Sequence, residues 1–283
     1  MKIDLHIHTT YSDGTLSPEE LVDSAIEAGL TTIAITDHDN VLGYFAAKKY
    51  IEENQKPLDI IPGIEINTFH KKQEIHVLGY FMDLENPDFI AMIEKQRKVR
   101  KNQAQEISKL LQKIGINVTY DDIKKCVIPK ASIGRPHIAK AIVQKGGVGS
   151  VSEAYSKYIH DGSKVYVTRK TVTPHEAVEG IYDAGGIPVI AHPCDIENAH
   201  ELIEELMGYG LRGIEAYHRK HTPAMIEYFC SLAEKYDLIV TGGSDFHTPS
   251  VYTGQMLLGK NFVPPKIIEE LEAEKKRIEI ANS

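Results

Sequence analysis

The sequence has few of the features that send a chain into a membrane or an oxidising compartment. Only three of its 283 residues are cysteine, Cys126, Cys194 and Cys230, odd in number and widely spaced. That argues against a disulfide framework and a cysteine-type zinc site, and for a reducing compartment. No apolar run approaches the ~20 residues that a membrane span needs. Strand-like alternation begins at Lys2, leaving no room for a secretory signal, so the expected location is cytoplasmic, with no membrane and no obligate protein partner. Positive charge is also in deficit: 32 Lys and Arg stand against 40 Asp and Glu, a net charge of −8. A surface basic all over is thereby excluded, although a local basic patch is not. The composition, 42% hydrophobic and 25% charged, is that of an ordinary globular protein with room for one large α/β domain or two small ones.

Histidine, in contrast, is plentiful, with 13 copies, and its placement matters more than its number. From Lys2 to His8 the chain alternates, with Ile3, Leu5 and Ile7 on one face and Asp4, His6 and His8 on the other. Two imidazoles on one side of a strand lie roughly 6–7 Å apart, a spacing that suits two ligands of one metal. The turn pair Asp13-Gly14 can bring a carboxylate back over the strand end.

The rest of the chain repeats the theme. Ser17-Pro-Glu-Glu20 reads as a capping box opening a helix that Gly29 stops. The strand Thr31–Thr36 runs into Asp37-His38-Asp39, so the two strands are expected to be parallel, with their candidates at C-terminal ends. A helix over Leu42–Glu53 precedes a strand over Leu58–Asn67, which carries Glu65, and a strand over Gln73–Tyr80, centred on His76. From about Asp88 the pattern turns helical: Ile90–Ile114, Tyr120–Cys126, Pro136–Lys145 and Ser152–Tyr158, the last after a capping box at Ser150-Val-Ser-Glu153. Between Ile93 and Lys145 there are thirteen basic and four acidic residues, a local +9 in a chain whose remainder carries −17. This segment reads as a basic helical insertion over 91–164, flanked by an α/β domain formed from 1–90 and 165–283. The α/β rhythm resumes at Val165–Thr168. A third capping box, Thr173-Pro-His-Glu176, opens a helix, and strands ending at His192, His218 and Gly243-Ser-Asp-Phe-His247 follow. A helix from Pro264 closes the barrel or covers a sheet edge.

Gathered by strand, the candidates are His6, His8, Asp13, His38, Glu65, His76, His192, Asp245 and His247. Any one of them alone suits a hydrogen bond or a helix cap. Together, six imidazoles and three carboxylates exceed what one zinc ion requires and suit two or three divalent ions, manganese first, with iron or zinc as alternatives.

Asp4-Leu-His-Ile-His-Thr-Thr-Tyr-Ser-Asp-Gly14, Thr36-Asp-His-Asp39, Pro62-Gly-Ile-Glu65, Glu74-Ile-His-Val-Leu-Gly79, Ala191-His-Pro193 and Gly243-Ser-Asp-Phe-His247 resemble, in order, the motifs of the polymerase and histidinol phosphatase (PHP) family. The resemblance implies a distorted (β/α)7 barrel of the α/β class with a trinuclear metal centre at its C-terminal rim. It implies that His6, His8, Glu65 and Asp245 hold one ion, that Glu65, His76 and His192 hold a second, and that Asp13, His38 and His247 hold a third. The insertion and Ser132-Ile-Gly-Arg-Pro-His-Ile-Ala139 resemble the stand-alone nucleotide phosphoesterases of that family. This implies that Arg135 binds a substrate phosphate and takes part in catalysis, with Ser132 and His137 as further substrate contacts.

The activity so implied is removal of the 3′-phosphate of a nucleoside 3′,5′-bisphosphate by in-line attack of metal-held hydroxide, without a phosphoenzyme. The alternatives are 5′→3′ exonuclease action on 5′-phosphorylated RNA, histidinol-phosphate hydrolysis, and a non-catalytic metal-binding module. His218, left over at a strand end, could protonate the leaving oxygen or serve structurally. Tyr158, Tyr166 and Tyr217 could stack on a base or simply fill core.

Overall fold

Every residue of β1 (Ile3–Ile7) and β2 (Thr32–Ile35) is buried, as expected of parallel strands covered on both faces. In the computed structural model, which describes residues 1–160, 162–249, 256–260 and 263–281, they open a sheet whose seven strands lie side by side in chain order. The others are β3 (Asp59–His70), β4 (Gln73–Tyr80), β5 (Ile187–Ile190), β6 (Gly213–His218) and β7 (Ile239–Gly243). The sheet nearly closes on itself. Ile7 bridges to Phe246 just beyond β7, and the His8 amide donates to the Phe246 carbonyl at 2.9 Å. Gly243 permits that approach, since a Cβ there would lie 2.4 Å from the Cβ of His6.

All neighbours are parallel except around β4, which runs antiparallel to both β3 and β5. The β3–β4 connection is a tight hairpin at Lys71-Lys72, both at positive φ. This reversal sets the N-terminal half of β4, with His76, beside the C-terminal half of β3, just past Glu65. The rim reached by the C-terminal ends of the other strands is reached by the N-terminal half of β4.

Helices α1 (Pro18–Glu27) and α2 (Leu42–Asn54) pack outside the first strands. After β4 the chain leaves the barrel in α3 (Pro87–Lys113), α4 (Tyr120–Lys124), α5 (Arg135–Gln144) and α6 (Val151–Ala154), which continues as a π-turn over Tyr155–Ile159. These helices bury a cluster of their own, including Ile107, Leu111, Ile123, Ile138 and Ile142. Helices α7 (Pro174–Asp183), α8 (Ala199–Met207) and α9 (Pro223–Lys235) return to the barrel wall. Last, α10 (Ile267–Ala281) places Ile267, Leu271 and Ile278 in the cluster that contains Ile3, Leu5, Leu78 and Val189.

Two sequence expectations need correction. Val165–Thr168 forms no strand: it is an irregular run whose Val165 side chain packs with the insertion, where no sheet edge is available to pair with it. The second expected capping box, at Ser150, is half formed, because the Ser150 hydroxyl accepts from the Glu153 amide while the Glu153 carboxylate turns to the amide of Gly149. The boxes at Ser17/Glu20 and Thr173/Glu176 are complete. Among the described residues no helix is long and apolar enough to cross a membrane.

Candidate metal centre and substrate cleft

Glu65 is the hub. Its carboxylate is 1% exposed and sits among five imidazoles. Oε2 lies 3.4 Å from His6 Nε2, 3.3 Å from His8 Nε2 and 2.9 Å from His38 Nδ1. Oε1 lies 2.8 Å from His76 Nδ1 and 3.2 Å from His192 Nε2. Asp245 closes one side, its Oδ1 3.6 Å and 3.5 Å from the Nε2 atoms of His6 and His8. Asp13 closes the other, its Oδ1 3.8 Å from His38 Nε2 and 3.4 Å from His247 Nε2. All nine strand-end candidates therefore come together in one cluster.

The backbone is bent to place them. His192 and Asp245 both have positive φ, 27° and 50°, a conformation that costs a non-glycine residue on the order of 1–3 kcal/mol. The cluster also leaves polar atoms stranded: His6 Nε2, His8 Nε2, Asp13 Oδ1, His38 Nδ1 and Glu65 Oε2 are buried and have no hydrogen-bond partner. Buried polar atoms are ordinarily paired, and unpaired lone pairs converging from imidazoles and carboxylates are what a bound cation would satisfy. Three groupings have ligand atoms close enough to share an ion: His8, Asp13, His38 and His247; His6, His8 and Glu65; and His38, Glu65 and His76. The residues present thus suit divalent metal ions.

Electrostatics bind rings and carboxylates together: burial opposes charge throughout, yet neighbouring carboxylates raise the imidazoles of His6 and His76 and bring His192 to about 10 and His247 to about 9. Burial works against a charge on Glu65, yet the His76, His38 and His6 imidazoles hold its carboxyl well below the ordinary range. Burial dominates at His38 and drives its pKa down to about 4, which keeps that ring neutral and able to act as a ligand.

Outer residues fix the rings. Glu215 accepts from His6 Nδ1 at 2.8 Å and from the His192 backbone amide at 2.7 Å. With its proton on Nδ1, His6 turns the Nε2 lone pair to the cluster. Asp37 accepts from Ser12 Oγ at 2.6 Å, and Ser12 Oγ lies 3.4 Å from His8 Nδ1. Asp37 also holds the amide and hydroxyl of Thr9, at 2.7 and 2.6 Å. Asp195 lies 3.1 Å from His192 Nδ1. Glu215 is the residue that the sequence reading missed. Its signal was a single carboxylate inside the apolar strand Gly213-Ile-Glu-Ala-Tyr217.

The cluster opens into a cleft of about 1030 Å³, whose far wall carries Arg100, Arg135, Lys140, Tyr155 and Arg169. Arg135 and Arg169 both converge on Glu74, at 2.8 and 2.7 Å, and Glu74 lies 3.5 Å from His76 Nε2. Burial lowers the Arg169 pKa to about 10, with the Arg100 charge adding to the effect. Arg169 is a second residue that the sequence reading overlooked; it lies in an irregular segment with no motif to mark it.

The other expected residues are placed as follows. Ser132 and His137 are not among the residues lining the cleft. The Ser132 hydroxyl donates to the Asp39 carbonyl, and His137 Nδ1 accepts from the Gly134 amide at the start of α5. The His218 side chain is fully buried behind Asp245, its Nε2 3.5 Å from Oδ2, and is likewise absent from the cleft wall. Its neighbour Arg219 does reach the cleft and donates to Asp245 Oδ2 at 3.3 Å. Tyr158 and Tyr166 line a hollow that shares Glu74, Arg135 and Arg169 with the cleft. Tyr217 packs on the α10 side of the barrel.

Comparison with known proteins places this geometry in context. The PHP domain profile matches residues 4–240. A Haemophilus influenzae 5′-3′ exoribonuclease is 34% identical over 92% of this chain and 94% of its own. A Chromobacterium violaceum 3′,5′-nucleoside bisphosphate phosphatase is 30% identical, over 87% of each chain. Among solved structures, a Bifidobacterium adolescentis protein described as a metal-dependent phosphoesterase superposes with a TM-score of 0.86 at 30% identity, covering 96% of this chain and 95% of that one. A Chromobacterium violaceum amidohydrolase with bound sulfate and no metal gives 0.84 at 29% identity, covering 96% of both.

Proposed function

The chain belongs to the PHP domain family, and from that premise we propose that it is a metal-dependent phosphoesterase that removes the 3′-phosphate of nucleoside 3′,5′-bisphosphates. The observation that carries the reading is the pairing of a nine-residue histidine and carboxylate cluster with a cationic wall across one cleft. A bisphosphate has two anionic ends, and this cleft offers a separate seat for each. Trimming of 5′-phosphorylated RNA is the second reading, favoured by the basic insertion and by the exoribonuclease relatives. The two activities share a recognition problem, since an RNA 5′ end carries phosphates on either side of its first ribose.

In this reading His6, His8, Glu65 and Asp245 hold one ion. Glu65, His76 and His192 hold a second, and Asp13, His38 and His247 a third, with manganese the preferred metal. Glu65 Oε1, beside His76 and His192, and Oε2, beside His6 and His8, support the first two sets, while His38, 2.9 Å from Oε2, links the third set to them. When bound, such ions acidify a water and offset charge on phosphoryl oxygens. The chain does the rest. Arg135 and Arg169 bind and orient the second phosphate through planar, multi-donor guanidinium groups. Glu74 holds both in place and ties that seat to His76. Arg219 steadies Asp245 from the cleft side and His218 from behind, so His218 is a positioning residue in this account and not the proton donor. Residues 91–164 serve as the substrate cap through the face that carries Arg100, Arg135, Lys140 and Tyr155. Cys126, Cys194 and Cys230 are all free, which fits a cytoplasmic setting.

The test compares metal-loaded protein on adenosine 3′,5′-bisphosphate, histidinol phosphate and a 5′-phosphorylated oligoribonucleotide. Phosphate release from the first supports the main reading. Stepwise mononucleotide release from the last alone promotes the nuclease reading to first place. Turnover of histidinol phosphate alone, or of nothing, overturns both.

A further inference from the structure

On the outer side of α3, away from the metal cluster, lies a second hollow that the phosphoesterase reading does not use. Four residues of one α3 face border it: Glu94, Arg97, Lys98 and Lys101, spaced i, i+3, i+4 and i+7. Lys124 from α4 and Lys130 from the following loop complete the rim, so five cations surround it with a single acidic side chain. Its floor is apolar and aromatic: Tyr120, Val127, Ile128, Pro129 and Ile133. Ile128 is 39% exposed there, and the Lys124 ammonium sits 5.3 Å from the centre of the Tyr120 ring.

The charge is available to a partner. Lys98, Lys101 and Lys130 are exposed. Arg97 spends one donor on the carbonyl of Lys130, which pins the loop to α3, and Lys124 pairs with Asp121 at the solvent edge. The hollow and the cleft are linked by one stretch of chain. Lys130–Ile133 line the hollow, and the next residues, Gly134 and Arg135, line the cleft. Six residues span at most about 20 Å, so a polymer whose end sits on Arg135 needs few further units to reach the hollow. The loop between them is firm, since Ser132 donates to Tyr11 and Asn40 donates to both Tyr11 and Lys130.

We propose that the α3–α4 hollow, bounded by Lys98, Lys101, Lys124 and Lys130 over Tyr120 and Ile128, is the seat for the downstream single-stranded portion of an RNA whose 5′ end occupies the cleft. Cations tracking a backbone around a π-face are the arrangement that holds single strands without reading sequence. The proposal rests on the nuclease arm of the functional reading and makes chain length, not base identity, the selected property. It assigns the insertion's excess charge to a defined place, apart from the phosphate seat at Arg135.

The experiment uses the full-length protein and phosphorothioate-linked, 5′-phosphorylated oligoribonucleotides of 2 and 12 nucleotides, with binding followed by fluorescence anisotropy across a salt series. The expected result is tighter binding of the 12-mer by wild type and loss of that advantage in K98A/K101A/K124A. Removing three phosphate contacts should reduce the log–log salt slope for the 12-mer by about 2. Turnover of adenosine 3′,5′-bisphosphate should be unchanged in the same variant, which shows that the fold and the cluster are intact. Equal 12-mer affinity and slope in variant and wild type would overturn the proposal, as would competition by poly-glutamate as strong as that by RNA. Failure of the phosphoesterase reading registers separately, as absence of turnover in wild type, because the binding measurement needs no catalysis.

Discussion

At the scale of single residues, the cluster separates groups that would hold metal from groups that hold those groups. His8 is among the first: its Nε2 is buried, unpaired and 3.3 Å from Glu65. His8→Ala should strip metal and reduce turnover by more than about 100-fold, beyond the range typical of outer partners. Circular dichroism should show the fold kept, since the side chain takes no part in strand pairing. Glu215 belongs to the second group. Glu215→Gln keeps its shape but loses the charge that orients His6, and should weaken metal affinity by roughly 10–100-fold; added metal should restore turnover in Glu215→Gln and not in His8→Ala. Arg135→Ala removes one guanidinium from the phosphate seat. It should lower kcat/KM for a bisphosphate by about 10–100-fold, the worth of a charged hydrogen bond, while sparing a simple aryl phosphate. Equal losses on both would remove Arg135 from the second-phosphate role.

At the scale of elements, closure between β1 and β7 depends on a missing side chain. Gly243→Ala would drive a Cβ into the backbone of His6, an overpacking that costs on the order of 1–3 kcal/mol. Activity should fall more than thermal stability does, because the displaced strand carries His6 and His8; assays of both quantities on one preparation check this. The insertion has its own acid sensitivity. Hydrogen bonds from the Thr119 hydroxyl and amide hold the Asp122 carboxyl at about 2, below its ordinary 3.8. A depressed carboxylate stabilises the fold fully above the unfolded value and loses that contribution as pH falls from about 4 to about 2. Thr119→Val should therefore melt lower than wild type at pH 6, with the difference shrinking across that window. Elements of this kind were legible where local chemistry decides them. The proline-led caps at Ser17 and Thr173, the buried strands and the long α3 could all be read from spacing. The reversal of β4 could not, because alternation carries no strand direction, and Val165–Thr168 has strand-forming residues but no partner edge.

At the scale of the whole molecule, the candidate site was legible because its chemistry is rare. Histidines and carboxylates recurring at strand ends betray a common destination, whatever the barrel's details. The cleft's opposite wall was less visible: Arg169 and Glu74 meet only through tertiary convergence, and sequence does not report on which side of Asp245 His218 lies. The assembled cluster also bears on stability. Buried atoms left without partners are costly, so the ion-free protein should be the weaker one. Chelation should lower the melting temperature, and restoring metal at 100 times its dissociation constant should return about 2.7 kcal/mol. An unchanged melting curve with and without chelator, at verified metal occupancy, would contradict this.

The seam between β1 and the end of β7 has a consequence in time. His6 and His8 precede Asp245 and His247 by more than 230 residues, and β1 has no second neighbour until β7 has been made. The complete cluster therefore forms only after the chain has been made through His247.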